Sequence, residues 1–314
     1  MSAQPYLSVV MTGRNDDHGG SFVRRFLNAI RFNHQRFEEY GIDHVFDVVE
    51  WAPGPERPWL LDLVADAVPS AIPRCRWWLV DPEYQRPCSL NPRLSYPEFL
   101  AKNVAIRRAN ARFLWVTNCD IYIGRAVLER LARQDLGPGV IYRAVRHDLI
   151  RGLDDQQLDW SLLEDSRNYS SKAHARLRPP LYNGATGDFV VLDSETFRQL
   201  RGFNEIYRLA RIGVDVNFLV NAHSRSVPIE DTGGVVYHQG HRGSYRQAKK
   251  FHQDAPEQAP YGDERWGARC ITYDNPPEWG LASAPERPVR EGATWLDFDW
   301  RAVPPLAPLS RLGL

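Results

Sequence analysis

The stretch RFLWVTNCDIYIG, residues 112–124, decides the fold. Residues 112–117 form an apolar run that predicts a short buried β-strand, and residues 96–111 before it have the apolar spacing of a helix. The strand leads into Asp120, which is followed by a second apolar stretch. A carboxylate is costly to bury there without a partner. A divalent cation is one such partner, since hard cations take oxygen ligands, and a capping role in a strand-to-helix turn is the alternative.

Outward from this stretch, strand and helix patterns alternate. Serial β-α alternation indicates a mostly parallel sheet with helices on both faces. The pattern predicts one α/β domain over residues 1–242, with halves 1–124 and 125–242, and an irregular Pro- and Trp-rich extension over 243–314 that packs on it. The predicted strands are 6–11, 44–51, 76–80, 112–117, 139–145, 189–192 and 235–237, and the predicted helices are 22–40, 58–68, 96–111, 125–134, 194–200 and 214–222.

Composition narrows the function classes. The 314 residues contain 39 basic and 39 acidic residues, so the chain lacks the basic excess of a protein that binds nucleic acid through its whole surface. No apolar run approaches the roughly 20 residues of a transmembrane helix, and the N-terminus lacks the pattern of a signal peptide. The four cysteines show no CxxC spacing, which is typical of a reducing compartment, so a cytoplasmic location is expected.

Polar segments follow three of the predicted strands, at residues 12–17, 50–51 and 118–120. In open α/β sheets, ligands bind at the carboxyl ends of the strands. The first segment lacks the GxGxxG spacing of dinucleotide folds, and the chain has no GxxxxGK[ST] loop. These absences disfavour NAD-dependent and P-loop chemistry.

Four further residues are candidates for chemistry. His238 and His241 follow the last predicted strand, where either could add a nitrogen ligand to a metal held by Asp120. A zinc hydrolase built on these three residues stays open, although no HExxH helix supports it. Asp215 precedes an apolar helix, where it is either an N-cap or a general base. Asp188 lies in a Gly-containing turn, where it either stabilises the turn or contacts the substrate.

The order of these motifs resembles the glycosyltransferases of the GT-A fold, especially the family 2 type. In that family an opening strand leads into a polar turn that holds the nucleotide, and LSVVMTGRN at 7–15 matches it. A helix before the metal strand is matched by AKNVAIRRANA at 101–111, and the DxD motif by NCD at 118–120, with Asn118 in place of the first Asp. Downstream, GDF at 187–189 with GFNE at 202–205, GVD at 213–215 and YHQGH at 237–241 follow the family's order. The resemblance covers about residues 6–242 and does not extend to the tail.

The resemblance implies transfer of a sugar from a UDP- or GDP-sugar to a hydroxyl acceptor, either a glycan or a small metabolite, with inversion and Asp215 as the base. It also implies a divalent metal, Mn²⁺ or Mg²⁺, that neutralises the leaving diphosphate. Aromatic residues such as Trp266 are further candidates for stacking on sugars, and Arg107 and Arg242 for lining the site. The implied metal ligands are Asp120, His238 and His241; the nucleotide-binding residues are Thr12, Gly13, Arg14, Asp16, Glu50, Asn103 and Asn118; the acceptor-binding residues are Asp188, Tyr182 and Trp160.

Two alternatives remain at the level of sequence. A sugar-phosphate nucleotidyltransferase uses a related sheet but carries a Gly-rich basic loop after its first strand, of which only Gly13-Arg14 is present. A non-catalytic nucleotide- or sugar-binding module is the other, because Asn118 and Val214 replace acidic residues of the family pattern.

Overall fold

Strand β1 (Leu7–Gly13) lies in the middle of the sheet, with every residue buried and a parallel neighbour on each side. The computed structural model describes residues 4–17, 19–89, 96–153, 158–171, 177–205, 213–241 and 274–305. Within these residues the strands form one sheet in the order β10-β11-β3-β2-β1-β4-β8-β6-β9-β5, and β7 pairs with β6. The remaining strands are β2 (His44–Trp51), β3 (Cys75–Val80), β4 (Phe113–Val116), β5 (Ile121–Ile123), β6 (Ile141–Arg151), β7 (Tyr169–Ser171), β8 (Val190–Asp193), β9 (Ile229–Gly240), β10 (Glu286–Arg290) and β11 (Ala293–Leu296).

Five neighbouring strands, from β11 through β3, β2 and β1 to β4, run parallel. Beyond β4 the sheet is mixed: β8 runs antiparallel to β4 and β6, whereas β6 and β9 are parallel. The chain passes from β1 to β2 and β3 on one side and returns to place β4 on the other. The carboxyl ends of β1 and β4 therefore meet where the strand order reverses, which is where open α/β sheets bind ligands.

Helices cover both faces of the sheet. Buried residues of α1, α2 and α5 pack with Leu7, Val9 and Met11 of β1, and those of α4, α7 and α8 share the opposite core with Val10. This division follows from the alternation of side chains along a strand. The helices are α1 (Phe22–Glu39), α2 (Leu60–Ala67), α3 (Gln85–Cys88), α4 (Glu98–Arg108), α5 (Arg125–Ala132), α6 (Trp160–Glu164), α7 (Ser194–Leu200) and α8 (Val214–Ser224).

The predicted α/β fold with one large sheet is confirmed, and the differences lie outside the parallel centre. Strand β9 has twelve residues where three were predicted, because its first half is polar and mostly exposed and lacks an apolar run. Strand β6 extends to Arg151, six residues beyond its predicted end. No helix in the described ranges has both the length and the apolar character to cross a bilayer.

The described part of the C-terminal extension, 274–305, is less irregular than predicted. Strands β10 and β11 form a hairpin that joins the edge of the sheet, with β11 parallel to β3. The mostly charged and exposed sequence of β10 gives no apolar pattern, so it escaped the sequence analysis. Trp279 is buried, with the Arg107 guanidinium 5.3 Å from its ring centroid, whereas Trp300 is exposed. The domain boundary at residue 242 stays a prediction, because residues 242–273 lie outside the described ranges.

Candidate metal centre and active-site cleft

A cleft of about 330 Å³ opens at the carboxyl ends of β1 and β4. Its residues come from both predicted halves of the chain, and it holds most of the charged residues that follow β1, β4 and β9. The segments at the ends of β1 and β4 therefore meet in this cleft, whereas Glu50 and Trp51 at the end of β2 do not line it. The lining residues are Thr12, Arg14, Asp16, Phe22, Arg25, Tyr96, Glu98, Asn118, Cys119, Asp120, Arg146, Asp148, Leu149, Ser170, His238, Gly240 and His241.

The three predicted metal ligands converge in this cleft. Asp120 lies in the turn from β4 to β5, and its Oδ2 is 3.6 Å from His238 Nε2 and 3.3 Å from His241 Nε2. The two imidazole Nε2 atoms are 3.2 Å apart. Sheet register produces this arrangement, because β5 pairs with β9 so that Ile121 lies opposite His238. One ligand atom from each side chain lies within 4.8 Å of the others.

The charges of this group stabilise one another. Burial acts to raise the pKa of Asp120, but the charge and hydrogen bond of His238, the hydrogen bond of His241 and the charge of Arg25 hold that pKa well below its ordinary value. Burial acts to lower the pKa of His238, and the nearby carboxylates of Asp120 and Asp148 outweigh it and raise that pKa to about 9.

Arg25, on the first turns of α1, is a residue that the sequence analysis missed. Its side chain is only 3% exposed, and its Nη1 donates to Asp120 Oδ2, the oxygen that also faces both histidines. A carboxylate oxygen has two lone pairs, so this contact leaves room for a second cationic partner. The helical periodicity of α1 gave no signal, because only the tertiary fold shows that Arg25 points to the buried end of β4.

One carboxylate oxygen and two imidazole nitrogens form a donor set that fits a divalent transition metal. His238 Nδ1 is 2.9 Å from Asp148 Oδ1, the carboxylate–histidine pairing that accompanies many metal-bound imidazoles. Imidazole suits transition metals, whereas Mg²⁺ favours sites made of oxygen ligands. Of the two predicted ions, Mg²⁺ is therefore disfavoured by the two imidazole ligands.

Of the four predicted nucleotide-binding residues at the carboxyl end of β1, all but one line the cleft. Thr12, Arg14 and Asp16 all contribute to its wall, and Arg14 Nε lies 3.6 Å from Asp16 Oδ2. Gly13 is absent from the lining because it packs inward. A Cβ atom there would lie 2.7 Å from Leu60 Cδ1, so this glycine allows close packing of β1 against α2.

A second hollow, of about 250 Å³, adjoins the cleft through Arg14 and Asp16. It is lined by the loop of residues 52–58 and by Glu50, which was predicted to contact the nucleoside. Both oxygens of Glu50 accept the backbone N–H of Leu60, at 3.0 and 2.9 Å, so this side chain caps the N-terminus of α2. Burial raises the pKa of Glu50 to about 8 despite these bonds and a further one from Leu61.

Asn103 does not take the predicted nucleotide-binding role. It is fully buried in α4, where its Nδ2 donates to Phe203 O at 2.7 Å and to Glu205 Oε1 at 2.9 Å, and its Oδ1 accepts from Phe203 N. Glu205 also accepts from Gly280 N. Asn103 and Glu205 therefore tie α4 to the C-terminal segment. Arg107 has a similar role, since it donates to the carbonyl of Pro277.

Asn118 lines the cleft, and its amide is held from both ends. Lys102 Nζ donates to its Oδ1 at 2.7 Å, and its Nδ2 donates to Asp188 Oδ1 at 2.6 Å. Lys102 is fully buried and also pairs with Glu98 at 2.9 Å. An aspartate at 118 would face Asp188 with like charge, which the amide of Asn118 avoids.

Asp188, predicted to bind the acceptor, is instead a buried link behind the cleft. Besides Asn118, its carboxylate accepts from Arg146 Nη1 at 2.6 Å. Arg146 continues to Asp148, with its Nε 3.1 Å from Asp148 Oδ1. A line of polar contacts thus runs from Asn118 to the candidate metal ligand His238.

Asp215 occupies the first turn of α8 and does not line the cleft itself. Its Oδ2 accepts a hydrogen bond from the backbone N–H of Gly187 at 2.8 Å. Gly187 directly precedes Asp188 in the chain. Burial raises the pKa of Asp215, against the opposing effects of hydrogen bonds from the backbone of Val216 and Gly187 and the charges of Lys102 and Arg143. The raised pKa suits a general base, which works best near the operating pH.

Arg143 fixes the loop beside Asp215 and gave no signal in the sequence. It is fully buried and donates to the carbonyls of Tyr182, Gly184 and Thr186, at 3.1, 2.8 and 3.1 Å. Tyr182 therefore contributes its backbone to the loop, and its side chain is not part of the cleft wall.

Trp160 is not brought to the cleft. Its ring packs edge-on against Phe32 of α1, with centroids 5.5 Å apart, and the guanidinium groups of Arg36 and Arg125 lie 5.6 and 4.8 Å from it. These contacts give it a packing role on the α1 face of the sheet. Trp266 and Arg242 lie outside the described residues.

A second group of side chains that could bind a metal lies at the amino ends of the parallel strands, where β2 begins. It consists of His34, Glu38 and His44. His34 Nδ1 is 3.0 Å from His44 Nε2, and His44 Nδ1 is 2.9 Å from the carbonyl of Ile42. Burial lowers the pKa of both histidines, and their rings form a chain of two hydrogen bonds that ends at the Ile42 carbonyl.

The fold and the cleft define an α/β protein with a candidate metal centre at the point where the strand order reverses. No family model matches the chain, and no curated protein matches it. Among solved structures, it is similar to a crystal structure of GalNAc-T7 with UDP, GalNAc and Mn²⁺, at 12% sequence identity and with a TM-score of 0.49. The match covers 85% of this chain and 54% of the other, so the chain spans about half the length of that protein.

Proposed function

We propose that the protein transfers a sugar from a nucleotide-diphosphate sugar to a hydroxyl acceptor, with a divalent metal bound by Asp120, His238 and His241. The observation that carries the proposal is the convergence of these three side chains in a cleft at the carboxyl ends of β1 and β4. The order of sequence motifs that resembles the GT-A glycosyltransferases supports the same function.

The donor would lie across the cleft and the adjoining hollow. Arg14 and Asp16 border both, so the nucleoside is assigned to the hollow beside the 52–58 loop and the diphosphate to the cleft. When bound, the metal supplies positive charge that stabilises the leaving diphosphate. Arg25 adds a fixed guanidinium beside Asp120, where it can donate to a phosphate oxygen.

Asp215 is proposed as the general base, with inversion at the anomeric carbon. Its carboxylate would accept the proton of the acceptor hydroxyl as that oxygen attacks. The Gly187 N–H holds the carboxylate in place, and together with the nearby charge of Lys102 it opposes the rise in the pKa of Asp215 that burial causes. Because Asp215 lies behind the cleft wall, the acceptor is expected to approach from the side of the 182–188 loop.

The test is a transfer assay on the wild-type protein. UDP- and GDP-sugars are incubated with hydroxyl acceptors, with Mn²⁺ or with a chelator, and both the released nucleoside diphosphate and the glycosylated acceptor are measured by mass spectrometry. Metal-dependent formation of both products is expected. Binding of sugars without any affinity for UDP or GDP would overturn the proposal and favour a sugar-binding module.

The donor set favours one second candidate, metal-dependent hydrolysis of a phosphate-linked substrate. Two histidines and one carboxylate are also the ligand count of catalytic zinc sites, which keep a position for water. The same assay separates the two functions: a hydrolase releases free sugar at a rate that does not depend on the acceptor.

A further inference from the structure

His238 lies between two carboxylates that contact its two ring nitrogens. Its Nδ1 is 2.9 Å from Asp148 Oδ1, and its Nε2 is 3.6 Å from Asp120 Oδ2. An ionised carboxylate only accepts hydrogen bonds, so the bond to Asp148 requires a proton on Nδ1. In the neutral ring the lone pair is then on Nε2, the nitrogen that faces Asp120 and His241.

Sheet register fixes the contact between Asp148 and His238. The strands β6 and β9 are parallel, and Asp148 pairs directly with His238. Side chains of paired residues lie side by side on one face of a sheet, so the two meet without help from a flexible loop. The Asp148 side chain is 19% exposed and the His238 side chain 18%, which leaves both within reach of the cleft.

Asp148 is itself held by Arg146, two residues earlier on the same strand and therefore on the same face. Arg146 Nε lies 3.1 Å from Asp148 Oδ1, and its Nη1 donates to the buried Asp188 at 2.6 Å. Burial acts to lower the pKa of Arg146, but the charges of Asp188 and Asp148 raise it, so the guanidinium stays charged. Arg146 thus anchors the Asp148 carboxylate to Asp188.

We propose that Asp148 is a positioning residue that holds His238 in the Nδ1-protonated tautomer and presents Nε2 to the metal. The inference rests on the proposed metal centre of Asp120, His238 and His241. Outer carboxylates of this kind orient the ligand ring and raise its basicity, and their removal typically weakens metal binding by about 10–100-fold. Asp148 touches neither the metal nor the substrate in this role.

The test measures Mn²⁺ affinity from the loss of the free-ion electron paramagnetic resonance signal. Asp148→Ala is expected to weaken binding by about 10–100-fold. Asp148→Asn is expected to retain most of the affinity, because its carbonyl oxygen still accepts from Nδ1–H. Asp135→Asn is the matched control: Asp135 pairs with Arg133, also two residues away, at the surface with 3.2 Å between Arg133 Nη2 and Asp135 Oδ2, and its loss leaves Mn²⁺ binding unchanged.

Two results would overturn the inference. One is a folded Asp148→Ala variant that binds Mn²⁺ like the wild type; the other is an Asp148→Asn variant that binds as weakly as the alanine variant. Thermal unfolding establishes that each variant folds, and Asp148→Val, which suits a strand and removes the same acceptor, replaces the alanine variant if that one does not fold. If the folded wild type binds no Mn²⁺, the metal centre of the proposed function fails and this inference fails with it, whereas unchanged binding in the variants alone rejects only the role of Asp148.

Discussion

Asp120 and Asp215 are both carboxylates near the carboxyl end of β4, but their surroundings differ in charge. Asp120 faces Arg25, His238 and His241, and their charges and hydrogen bonds hold its pKa well below the ordinary value. Asp215 accepts mainly backbone N–H groups, and burial raises its pKa. Environments that separate the pKa values of two carboxylates separate their roles, so the first suits a metal ligand and the second a base.

The largest expected effect follows from removing the low-pKa carboxylate. Asp120→Ala should lower kcat/KM for transfer by on the order of 10³–10⁵-fold, because several kcal/mol of charge stabilisation are lost with the metal. The measurement is the rate of product formation with saturating Mn²⁺. Asp66→Ala, an exposed aspartate on α2, is the control and should behave as the wild type. Full activity in a folded Asp120→Ala protein would remove Asp120 from the mechanism.

The second effect tests the other half of the comparison. Asp215→Asn should lower kcat by about 10²–10⁴-fold, the usual contribution of a general base, with little change in UDP or GDP binding. Single-turnover rates and isothermal titration with the nucleotide separate these quantities. If nucleotide binding is lost together with turnover, Asp215 supports the structure of the loop and is not the base.

A third substitution changes Asn118, which lies in the same turn as Asp120. Asn118→Asp gives residues 118–120 the spacing DxD but breaks the bond from Asn118 Nδ2 to Asp188 and places two carboxylates side by side. We expect a loss of about 1–3 kcal/mol in the free energy of unfolding, and no gain in Mn²⁺ affinity. Urea unfolding and Mn²⁺ titration provide the two values. Tighter Mn²⁺ binding at unchanged stability would show instead that position 118 belongs to the metal site.

A fourth substitution concerns Glu50, where burial has a measurable effect on stability but no catalytic role is involved. Glu50 is 1% exposed, and burial raises its pKa from 4.5 to about 8. The folded protein therefore holds this proton more tightly than the unfolded chain. The resulting stability is fully present below pH 4.5 and is lost as the pH rises through about 8.

Glu50→Gln removes this titration, so the variant should gain stability relative to the wild type as the pH rises over that range. The slope is at most about 1.4 kcal/mol per pH unit, the value for one proton. Urea unfolding of both proteins at several pH values measures it. Parallel pH profiles for the two proteins would mean that the pKa of Glu50 is not raised.

The parallel centre of the sheet and the metal-type side chains were readable from the sequence because each depends on local pattern. Apolar runs gave β1 to β4, and polar residues directly after strands gave Asp120, His238 and His241. The role of Asn103 was not readable, since its partner Phe203 lies 100 residues away. Motif order assigned Asn103 to the nucleotide, whereas tertiary contacts make it an anchor for the 202–205 segment.

Asp148 and Arg25 were missed for a related reason. Sequence pattern ended β6 at residue 145, so Asp148 fell outside the strand, and pairing with His238 depends on a register between strands about 90 residues apart. Arg25 sits on a helix whose apolar face was recognised, but the buried ion pair with Asp120 forms only when α1 packs against the end of β4. The local sequence pattern therefore did not predict which charged side chains of the site pair with each other over long sequence distances.

The most direct test of the central claim is an isothermal titration of the wild-type protein with Mn²⁺, repeated with His238→Ala. We predict a single saturable site in the wild type, with binding greatly weakened in the variant, and UDP or GDP affinity that rises when Mn²⁺ is present. A folded wild-type protein that binds no Mn²⁺, or a His238→Ala variant that binds it equally well, would contradict a metal centre at Asp120, His238 and His241.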